Sequence, residues 1–253
     1  MKVIATYNLK GGVGKTAAAV NLAYLAARSG LRTLLWDLDA QGAASFYLRG
    51  GPGLAGGASA LLEDKHGLPR AIRSTAYADL DLIPADFSYR NLDLELNDYR
   101  KPTSRLRRLL KEVRDGYSLA LLDCAPSMSV VSENVFNMAD VLLVPLIPTH
   151  LSLRAFEQLL RFCRELGADQ LIVLPFFSMV DRRKRVHREL IVEFAAHHPE
   201  VLRSYIPYAA EIERMGEECA PVNAYADASN GGRAFVALWL ALAERLGLRP
   251  AAP

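Results

Sequence analysis

The sequence predicts an α/β protein with one mostly parallel, twisted sheet that carries helices on both faces. Short apolar runs alternate with segments of helical periodicity from Lys2 to Leu246, and such alternation produces parallel strands joined by helical crossovers. A glycine-rich loop connects the first apolar run to the first helical segment. The 253 residues, 51% hydrophobic and 23% charged, can form one large core. We therefore expect a single domain over residues 1–253.

Each predicted strand is a short apolar run, and each predicted helix carries alanines or spaced apolar residues. Because a parallel pair of strands needs a long crossover, a helix is expected between most consecutive strands. The predicted strands cover 2–7, 32–37, 80–84, 118–123, 141–145, 171–177 and 204–207. The predicted helices cover 15–29, 40–48, 88–98, 103–114, 129–138, 151–166, 184–197, 209–217 and 231–247.

Two further patterns limit the class of protein. No segment reaches 18 uninterrupted apolar residues, and the first strand begins at Lys2 without the regions of a signal peptide, so we expect a cytoplasmic protein. The cysteines, Cys124, Cys163 and Cys219, are odd in number and widely spaced, which argues against disulfides. The glycine-rich stretch 50–59 is expected to be a mobile surface loop.

The segment between the first strand and the first helix has the composition of a phosphate-binding loop. Glycines without a Cβ atom let successive N–H groups point toward a polyphosphate, and the following helix adds the positive end of its dipole. Lys15 is expected to reach the β- and γ-phosphates, and the Thr16 hydroxyl to bind magnesium. The predicted nucleotide-binding residues here are Lys10, Gly11, Gly12, Val13, Gly14, Lys15, Thr16 and Ala17.

Aspartates stand at the ends of two other predicted strands. Asp37 and Asp39 end the second strand, and Asp123 ends the fourth. The carboxyl ends of neighbouring parallel strands open onto one crevice, so these carboxylates are expected to surround the phosphates. Asp39, as the last of the three residues 37–39, projects furthest toward the ligand, whereas Asp37 is expected to have a structural role.

The loop is not the ordinary G-x-x-x-x-G-K-T form, because Leu9 stands where the first glycine is expected and a second lysine, Lys10, follows. With that second lysine, the sequence resembles the ParA/MinD family of deviant Walker A ATPases. Three later segments, in the family's order, extend the resemblance over essentially the whole chain. They are Asp37–Gln41 (D-x-D-x-Q), Val144–Pro148 (V-P-x-x-P) and Ile206–Pro207 (I-P).

The resemblance implies a slow ATPase that uses ATP and Mg²⁺, forms a homodimer with ATP and is stimulated by a separate partner, either a ParB-type protein or a cargo adaptor. Lys10, Lys15 and Asp39 are the implied catalytic residues, with Lys10 reaching the partner subunit's nucleotide and Asp39 positioning or deprotonating the attacking water. Thr16, Asp39 and Asp123 are the implied magnesium residues, Asp123 acting through water. Asp123 and Pro207 also belong to the implied nucleotide site.

The resemblance departs from the family after Pro207, where Tyr208 and Glu211 replace basic residues. That change affects the contacts on the adenine side and part of the family's DNA-binding face. The densest basic cluster, in the segment 182–188, is expected either to bind the DNA backbone without sequence preference or to be a solvated face. No helix-turn-helix precedes Met1, so sequence-specific DNA recognition is not expected. The predicted DNA-binding residues are Arg182, Arg183, Lys184, Arg185 and Arg188.

The last helical run, Ala234 to Leu246, carries an apolar stripe with few cations beside it, namely Arg233, Arg245 and Arg249. We expect this stripe to pack in the core rather than on a membrane. The favoured reading is a partition ATPase of the ParA type, associated with the nucleoid, that segregates a plasmid, a chromosome or a protein cargo. The alternatives are a MinD-like membrane-cycling regulator, a metabolic ligase or synthase, and an iron–sulfur carrier.

Overall fold

An eight-stranded sheet runs through the described part of the computed structural model, which comprises residues 1–51, 53–63 and 67–248. Pro52 of the glycine-rich stretch and Arg249 lie outside the described residues. The strand order is β3-β4-β2-β5-β1-β6-β7-β8, and every neighbouring pair is parallel except β3 with β4. The predicted α/β class is confirmed. The strands are β1 (Lys2–Thr6), β2 (Thr33–Asp37), β3 (Arg73–Ser74), β4 (Leu80–Ile83), β5 (Leu119–Asp123), β6 (Val141–Leu146), β7 (Ile172–Val180) and β8 (Leu202–Pro207).

Helices cover both faces of this sheet, so its central strands are buried on both sides. Short 3-10 turns at Phe87–Asn91, Pro102–Ser104 and Arg114–Gly116 adjoin some of them. The helices are α1 (Lys15–Arg28), α2 (Ala43–Tyr47), α3 (Gly57–Glu63), α4 (Gly67–Ala71), α5 (Leu92–Asn97), α6 (Arg105–Lys111), α7 (Val130–Met138), α8 (His150–Glu165), α9 (Arg185–His197), α10 (Ala210–Glu213), α11 (Met215–Glu218), α12 (Val222–Tyr225) and α13 (Asn230–Arg245).

The first and last long helices, α1 and α13, pack together on one face of the sheet. The alanines of α1 allow a close approach, and the indole Nε1 of Trp239 donates to Ser29 Oγ at 3.1 Å across the contact. Phe235, Leu238, Trp239 and Leu242 are fully buried. The prediction that the terminal stripe packs in the core is therefore confirmed.

The glycine-rich stretch 50–59 differs from its prediction as a mobile surface loop. Its end forms the start of α3, and Ala58 is fully buried. The Leu54 N–H donates to Asp86 Oδ2 at 2.8 Å, and the Ala58 N–H donates to Ser88 Oγ at 2.7 Å. A Cβ on Gly53 would lie only 2.2 Å from Asp86 Oδ2. Gly53 therefore lets its backbone lie against the segment that carries Asp86. Composition alone does not reveal this role.

Other differences are local. The sequence did not predict β3, α3, α4 or α12, all of which are seven residues long or shorter. The predicted helix 209–217 is two short helices, and the predicted helices 88–98 and 103–114 begin as 3-10 turns. In short elements tertiary contacts outweigh periodicity.

The three cysteines are free thiols, as predicted, and Cys124 is buried. Over the described ranges, no helix combines the length and the apolar character needed to cross a membrane.

Candidate nucleotide-binding site

The glycine-rich loop leaves β1 at its carboxyl end and enters α1. Val13 is buried and anchors the loop, whereas Gly12 and Gly14 have φ values of 70° and 94°, a region that other residues enter only with strain. A Cβ on Gly14 would lie 2.7 Å from Ser178 Oγ of β7. The loop therefore needs glycine at position 14 both for its backbone angle and for space.

Lys15 begins α1 and turns its side chain back into the loop, where its Nζ donates to the Lys10 carbonyl at 3.0 Å. The side chain is buried, and burial lowers its pKa, although the carboxylate of Asp123 acts in the opposite direction. The backbone before the loop is fixed by Asn8, whose amide donates to the Pro145 carbonyl at 2.8 Å and whose Oδ1 accepts from the Lys10 N–H at 2.9 Å. A charged amine is thus held inside the loop by a single carbonyl.

Asp37 ends β2 and is fully buried. Its carboxylate accepts from the Ser45 N–H at 2.8 Å, from Ser45 Oγ at 2.7 Å and from the Asp39 N–H at 3.2 Å. Burial raises its pKa to about 6 despite these bonds. The hydrogen bonds fix the turn that carries Asp39, which agrees with the structural role expected for Asp37.

Asp123 pairs in register with Thr6 of β1 and with Asp37 of β2, so three polar residues stand at one level of the sheet. Its side chain is completely buried, and its Oδ2 has no hydrogen-bond partner among the described residues. Burial, and next the carboxylate of Asp37, raises its pKa to about 8. A buried carboxyl oxygen without a partner is unusual and indicates a missing cation or donor.

A cavity of about 670 Å³ opens at the carboxyl edge of the sheet over this loop, a volume typical of small-molecule sites. Asp39 lines it and is partly exposed, with Oδ1 accepting from the Gln41 N–H at 3.0 Å. Of the predicted nucleotide and metal residues, those lining the cavity are Gly11, Gly12, Gly14, Lys15, Thr16, Ala17, Asp39 and Pro207.

Lys10, Val13 and Asp123 do not line the cavity. Val13 is buried as an anchor, Asp123 lies beneath the wall, and Lys10 is only partly buried. Asp123 is nevertheless close enough to Thr16 for the threonine hydroxyl to favour its charged form.

The opposite wall of the cavity comes from β7 and from the segment after β8. Met179 has a φ of 53°, which is rare for a residue with a side chain and coincides with a register shift between the two strands. Tyr208 and Glu213 also line this wall, and the Tyr208 hydroxyl donates to Glu213 Oε1 at 2.5 Å.

The residues fit a magnesium nucleotide on three observations. Gly12 and Gly14 of the loop are left-handed, Lys15 is a buried amine with one carbonyl partner, and Asp123 has an oxygen near Thr16 that is unpaired among the described residues. When bound, the polyphosphate would supply negative charge for the Lys15 amine, and magnesium would supply positive charge for the Asp123 carboxyl. Lys15 and Thr16 would hold the group, with Asp39 and Asp123 facing its metal side.

The sequence reasoning missed three supporting residues, Asn8, Ser45 and Ser178. Each one fixes or contacts a residue of the predicted site. Asn8 had a possible signal, a polar residue at a strand end directly before the loop. Ser45 had no such signal, because it contacts Asp37 only through the tertiary fold.

The predicted DNA-binding cluster lies at the start of α9, away from the cavity. Arg183 Nε pairs with Asp181 at 2.9 Å, and Arg185 Nε pairs with Glu189 at 2.6 Å. Arg188 donates to the carbonyls of Arg182 and Arg183. Two of the five predicted cations, Arg183 and Arg185, therefore face carboxylates, whereas the other three make no ion pair among the described residues.

Comparison with known proteins identifies the family. A family model described as an AAA domain (AAA_31) matches residues 1–172. The chromosome partitioning protein ParA of Caulobacter vibrioides is 31% identical over 94% of this chain and 92% of its own length. The chain belongs to the ParA/MinD family. The resemblance predicted from the second lysine is thus confirmed.

Other members of the ParA/MinD family are similar over their full length. The chromosome-partitioning ATPase Soj of Treponema pallidum is 29% identical over 98% of this chain and 99% of its own. Among solved structures, cobyrinic acid a,c-diamide synthase of Mycobacterium smegmatis with bound ATP analogue and magnesium superposes with a TM-score of 0.82. It is 25% identical and covers 100% of this chain and 98% of its own. The fold thus accommodates a magnesium nucleotide.

Proposed function

We propose that this chain is a ParA-type partition ATPase, which dimerises on ATP, binds DNA without sequence preference as the dimer and hydrolyses ATP slowly. A separate protein, of ParB type or a cargo adaptor, stimulates hydrolysis, and the cargo is a plasmid, a chromosome or a protein assembly. The protein acts in the cytoplasm, on the nucleoid. The observation that carries the proposal is the glycine loop with two lysines, of which Lys15 lines the cavity and Lys10 does not.

The roles of the residues follow from their surroundings. Phosphoryl transfer to water depends mainly on positioning and on stabilising charge on the phosphate. Lys15, held inside the loop, supplies one fixed positive charge. Asp39 stands on a turn fixed by Asp37 and is exposed to the cavity, so it can orient or deprotonate a water molecule. Asp123 and Thr16 would hold a magnesium ion when the nucleotide is bound.

Dimerisation through the same edge of the sheet is supported by the surface. Six of the large, apolar and exposed residues in the described part of the chain lie at most nine positions after the last residue of a strand. Exposed apolar groups at the carboxyl edge of a sheet suit a protein interface, and one of them, Tyr208, lines the cavity. A second subunit here would bring its Lys10 to this cavity. The six residues are Phe46, Phe87, Met128, Leu151, Val186 and Tyr208.

The alternatives have less support. A membrane-cycling regulator of the MinD type needs an apolar helical face at the surface, but the stripe of α13 is buried. A synthase, as the Mycobacterium smegmatis relative is named, needs an acceptor substrate. ATP hydrolysis without any added acceptor, together with ATP-dependent retention on DNA but not on anionic vesicles, would separate the three activities.

Size-exclusion chromatography with light scattering, in ATP and magnesium, tests the site. Asp39→Ala should bind ATP and accumulate as a dimer, since the phosphate loop is intact while water activation is lost. Lys15→Ala should lose ATP. Lys10→Ala should keep ATP with a modest loss but form little dimer, whereas Lys101→Ala, at an exposed lysine outside the cavity, should behave as the parent. An Asp39→Ala protein that stays monomeric with nucleotide bound would contradict the proposal.

A further inference from the structure

A run of cations surrounds α6, on the sheet face opposite α1 and α13. The segment 100–114 contains seven lysines and arginines and a single acid, Glu112. Its formal net charge is therefore +6, and since the whole chain carries +2, the remaining residues together carry −4. Six of the seven cations are exposed and form what we call the α6 basic surface. They are Arg100, Lys101, Arg107, Arg108, Lys111 and Arg114.

None of these six cations makes an ion pair or a side-chain hydrogen bond within the described part of the chain. The seventh, Arg105, is turned inward, because its NH2 donates to the Leu62 carbonyl and its guanidinium carbon lies 4.7 Å from the centre of the Tyr99 ring. Like charges held close together repel one another, so this surface favours a partner that carries negative charge.

Three of the six cations border one cleft of about 120 Å³ at the amino edge of the sheet. Arg107 and Lys111 lie one turn apart on α6, and Arg114 follows in the next 3-10 turn. Residues four apart on a helix present their side chains on the same face. The cleft is therefore flanked by a row of positive groups.

The other residues of the cleft decide which kind of ligand fits it. Val3, Leu110 and Met138 line it and are apolar and buried. Since a cavity of about 150 Å³ holds a benzene molecule, this cleft has room for one aliphatic side chain. Asp140 is the acid among the described lining residues, but its carboxylate accepts from the Val3 N–H at 2.8 Å and pairs with Lys2 Nζ at 3.7 Å. It leaves the three cations without a carboxylate partner.

We propose that the α6 basic surface docks an acidic segment of a partner protein. An aliphatic residue of that segment enters the cleft, and its carboxylates accept charge-assisted hydrogen bonds from Arg107, Lys111 and Arg114. Alternate residues of an extended peptide stand about 6.6 Å apart, close to the spacing of about 5–6 Å between side chains one helical turn apart. A nucleic-acid backbone supplies the negative charge but has no aliphatic side chain for the cleft.

This docking surface lies far from the nucleotide cavity. The cleft is at the amino end of β1, whereas the cavity opens at the carboxyl edge of the sheet. The five residues of β1 separate the two edges by about 17 Å. A partner on α6 therefore leaves the cavity, and any interface built on the carboxyl edge, uncovered. The inference does not depend on the proposed function.

Fluorescence anisotropy of labelled synthetic peptides, with the full chain and without nucleotide, tests the inference. The probe alternates glutamate with glycine on both sides of a central leucine. One matched peptide has lysine in place of glutamate, and another has glycine in place of leucine. The protein should bind the acidic probe at low salt, bind it less as salt screens the charges, and fail to bind the lysine peptide. Loss of the leucine should weaken binding about fivefold, the effect of burying about 40 Å² of apolar surface.

The cleft variant, Arg107→Gln/Lys111→Gln/Arg114→Gln, removes the three charges that border the cleft. All three side chains are exposed, so the variant should fold as the parent does. An exposed charge contact contributes up to about fivefold in affinity. The loss of three contacts should therefore weaken binding of the acidic probe by about tenfold and reduce its dependence on salt.

The control variant, Arg154→Gln/Arg161→Gln/Arg164→Gln, removes the same charge from α8. These side chains are exposed and make no ion pair among the described residues, so this variant should bind the probe as the parent does. Urea unfolding checks that both variants are folded. The comparison of the leucine and glycine peptides needs no substitution in the protein.

Several results would overturn the inference. Equal losses in the two variants would mean that net charge alone decides, and equal affinity for the leucine and glycine peptides would mean that the cleft takes no side chain. A parent protein that does not bind the acidic probe at low salt is equally contrary. Duplex DNA or phosphatidylglycerol vesicles that bind more tightly than the probe, and depend on the same three residues, would identify a nucleic acid or a lipid as the partner instead. Since none of these measurements involves ATP, such a failure leaves the proposed function untouched.

Discussion

Single alanine substitutions in the phosphate loop separate two reasons for glycine, the backbone angle and the available space. At Gly11 neither applies, since its φ is not positive and a Cβ would meet nothing within 4 Å. At Gly12 only the angle applies, with φ at 70° and again nothing within 4 Å. At Gly14 both apply, because φ is 94° and a Cβ would lie 2.7 Å from Ser178 Oγ.

The expected changes in the free energy of unfolding follow from these values. Gly11→Ala should be neutral or stabilise by about 0.4–1 kcal/mol, through the unfolded chain. Gly12→Ala should destabilise by about 1–2 kcal/mol, the cost of a left-handed residue with a Cβ. Gly14→Ala should cost a further 1–3 kcal/mol or so, because the Ser178 hydroxyl must move in a packed region.

Ser178 provides the matched control. Its Oγ makes no hydrogen bond within the described part of the chain, and its own Cβ would stand 3.8 Å from a Cβ on Gly14, an ordinary contact. Ser178→Ala alone should therefore have little effect. In the double variant Gly14→Ala/Ser178→Ala the overpacking cost should disappear and leave the backbone cost of about 1–2 kcal/mol. The recovered 1–3 kcal/mol or so is the favourable coupling energy between the two substitutions.

Equilibrium urea unfolding of the nucleotide-free protein measures the series, with the buried Trp36 and Trp239 as fluorescent probes. The reasoning is refuted if Gly11→Ala destabilises as much as Gly12→Ala, or if Ser178→Ala fails to recover part of the Gly14→Ala loss. Binding of a fluorescent ATP analogue should follow the same order, since strain in the loop displaces the N–H groups that would face the phosphates.

Two further predictions concern stability. Asn134 is buried and bonds the Pro102 and Val130 carbonyls at 2.8 and 2.9 Å and the Leu106 N–H at 3.1 Å, so Asn134→Ala should cost about 2–4 kcal/mol in urea unfolding. Asn137→Ala, at an exposed site with one bond to Thr103, should change stability by less than about 0.5 kcal/mol; equal effects would contradict the assignment. Burial, and next Lys184, lowers the pKa of His187, whose Nδ1 accepts from the Asp181 N–H at 3.1 Å. The folded state therefore binds fewer protons at this ring than the unfolded chain does. The contribution of His187 to the free energy of unfolding is full above about pH 6.5 and is lost as the pH falls below that value. His187→Gln should lose less stability than the parent between pH 7 and 5, and parallel profiles would exclude a role for this ring.

Much of the candidate site could be predicted because strand ends of a parallel sheet converge. Lys15, Thr16 and Asp39 line one cavity although Asp39 is 23 residues beyond Thr16, as expected where the carboxyl ends of parallel strands open onto one crevice. The glycine loop was recognisable because its chemistry needs particular residues at a fixed spacing. The sequence missed that the glycine-rich stretch 50–59 ends in the start of α3, since glycine occurs both in loops and at sites of close packing, and only the approach of Gly53 to the Asp86 side chain shows the packing.

By itself, the sequence determined the α/β class, the buried terminal helix and the phosphate loop, because periodicity and short motifs are local properties of a chain. Only the tertiary structure decided which charges are free. In the segment 182–188 the sequence shows a run of equivalent cations, but the fold gives carboxylates to Arg183 and Arg185 and brings Arg182 to Arg203 and Arg233. Electrostatic contacts depend on distance in space rather than along the chain, so the sequence could not show which of these cations face carboxylates.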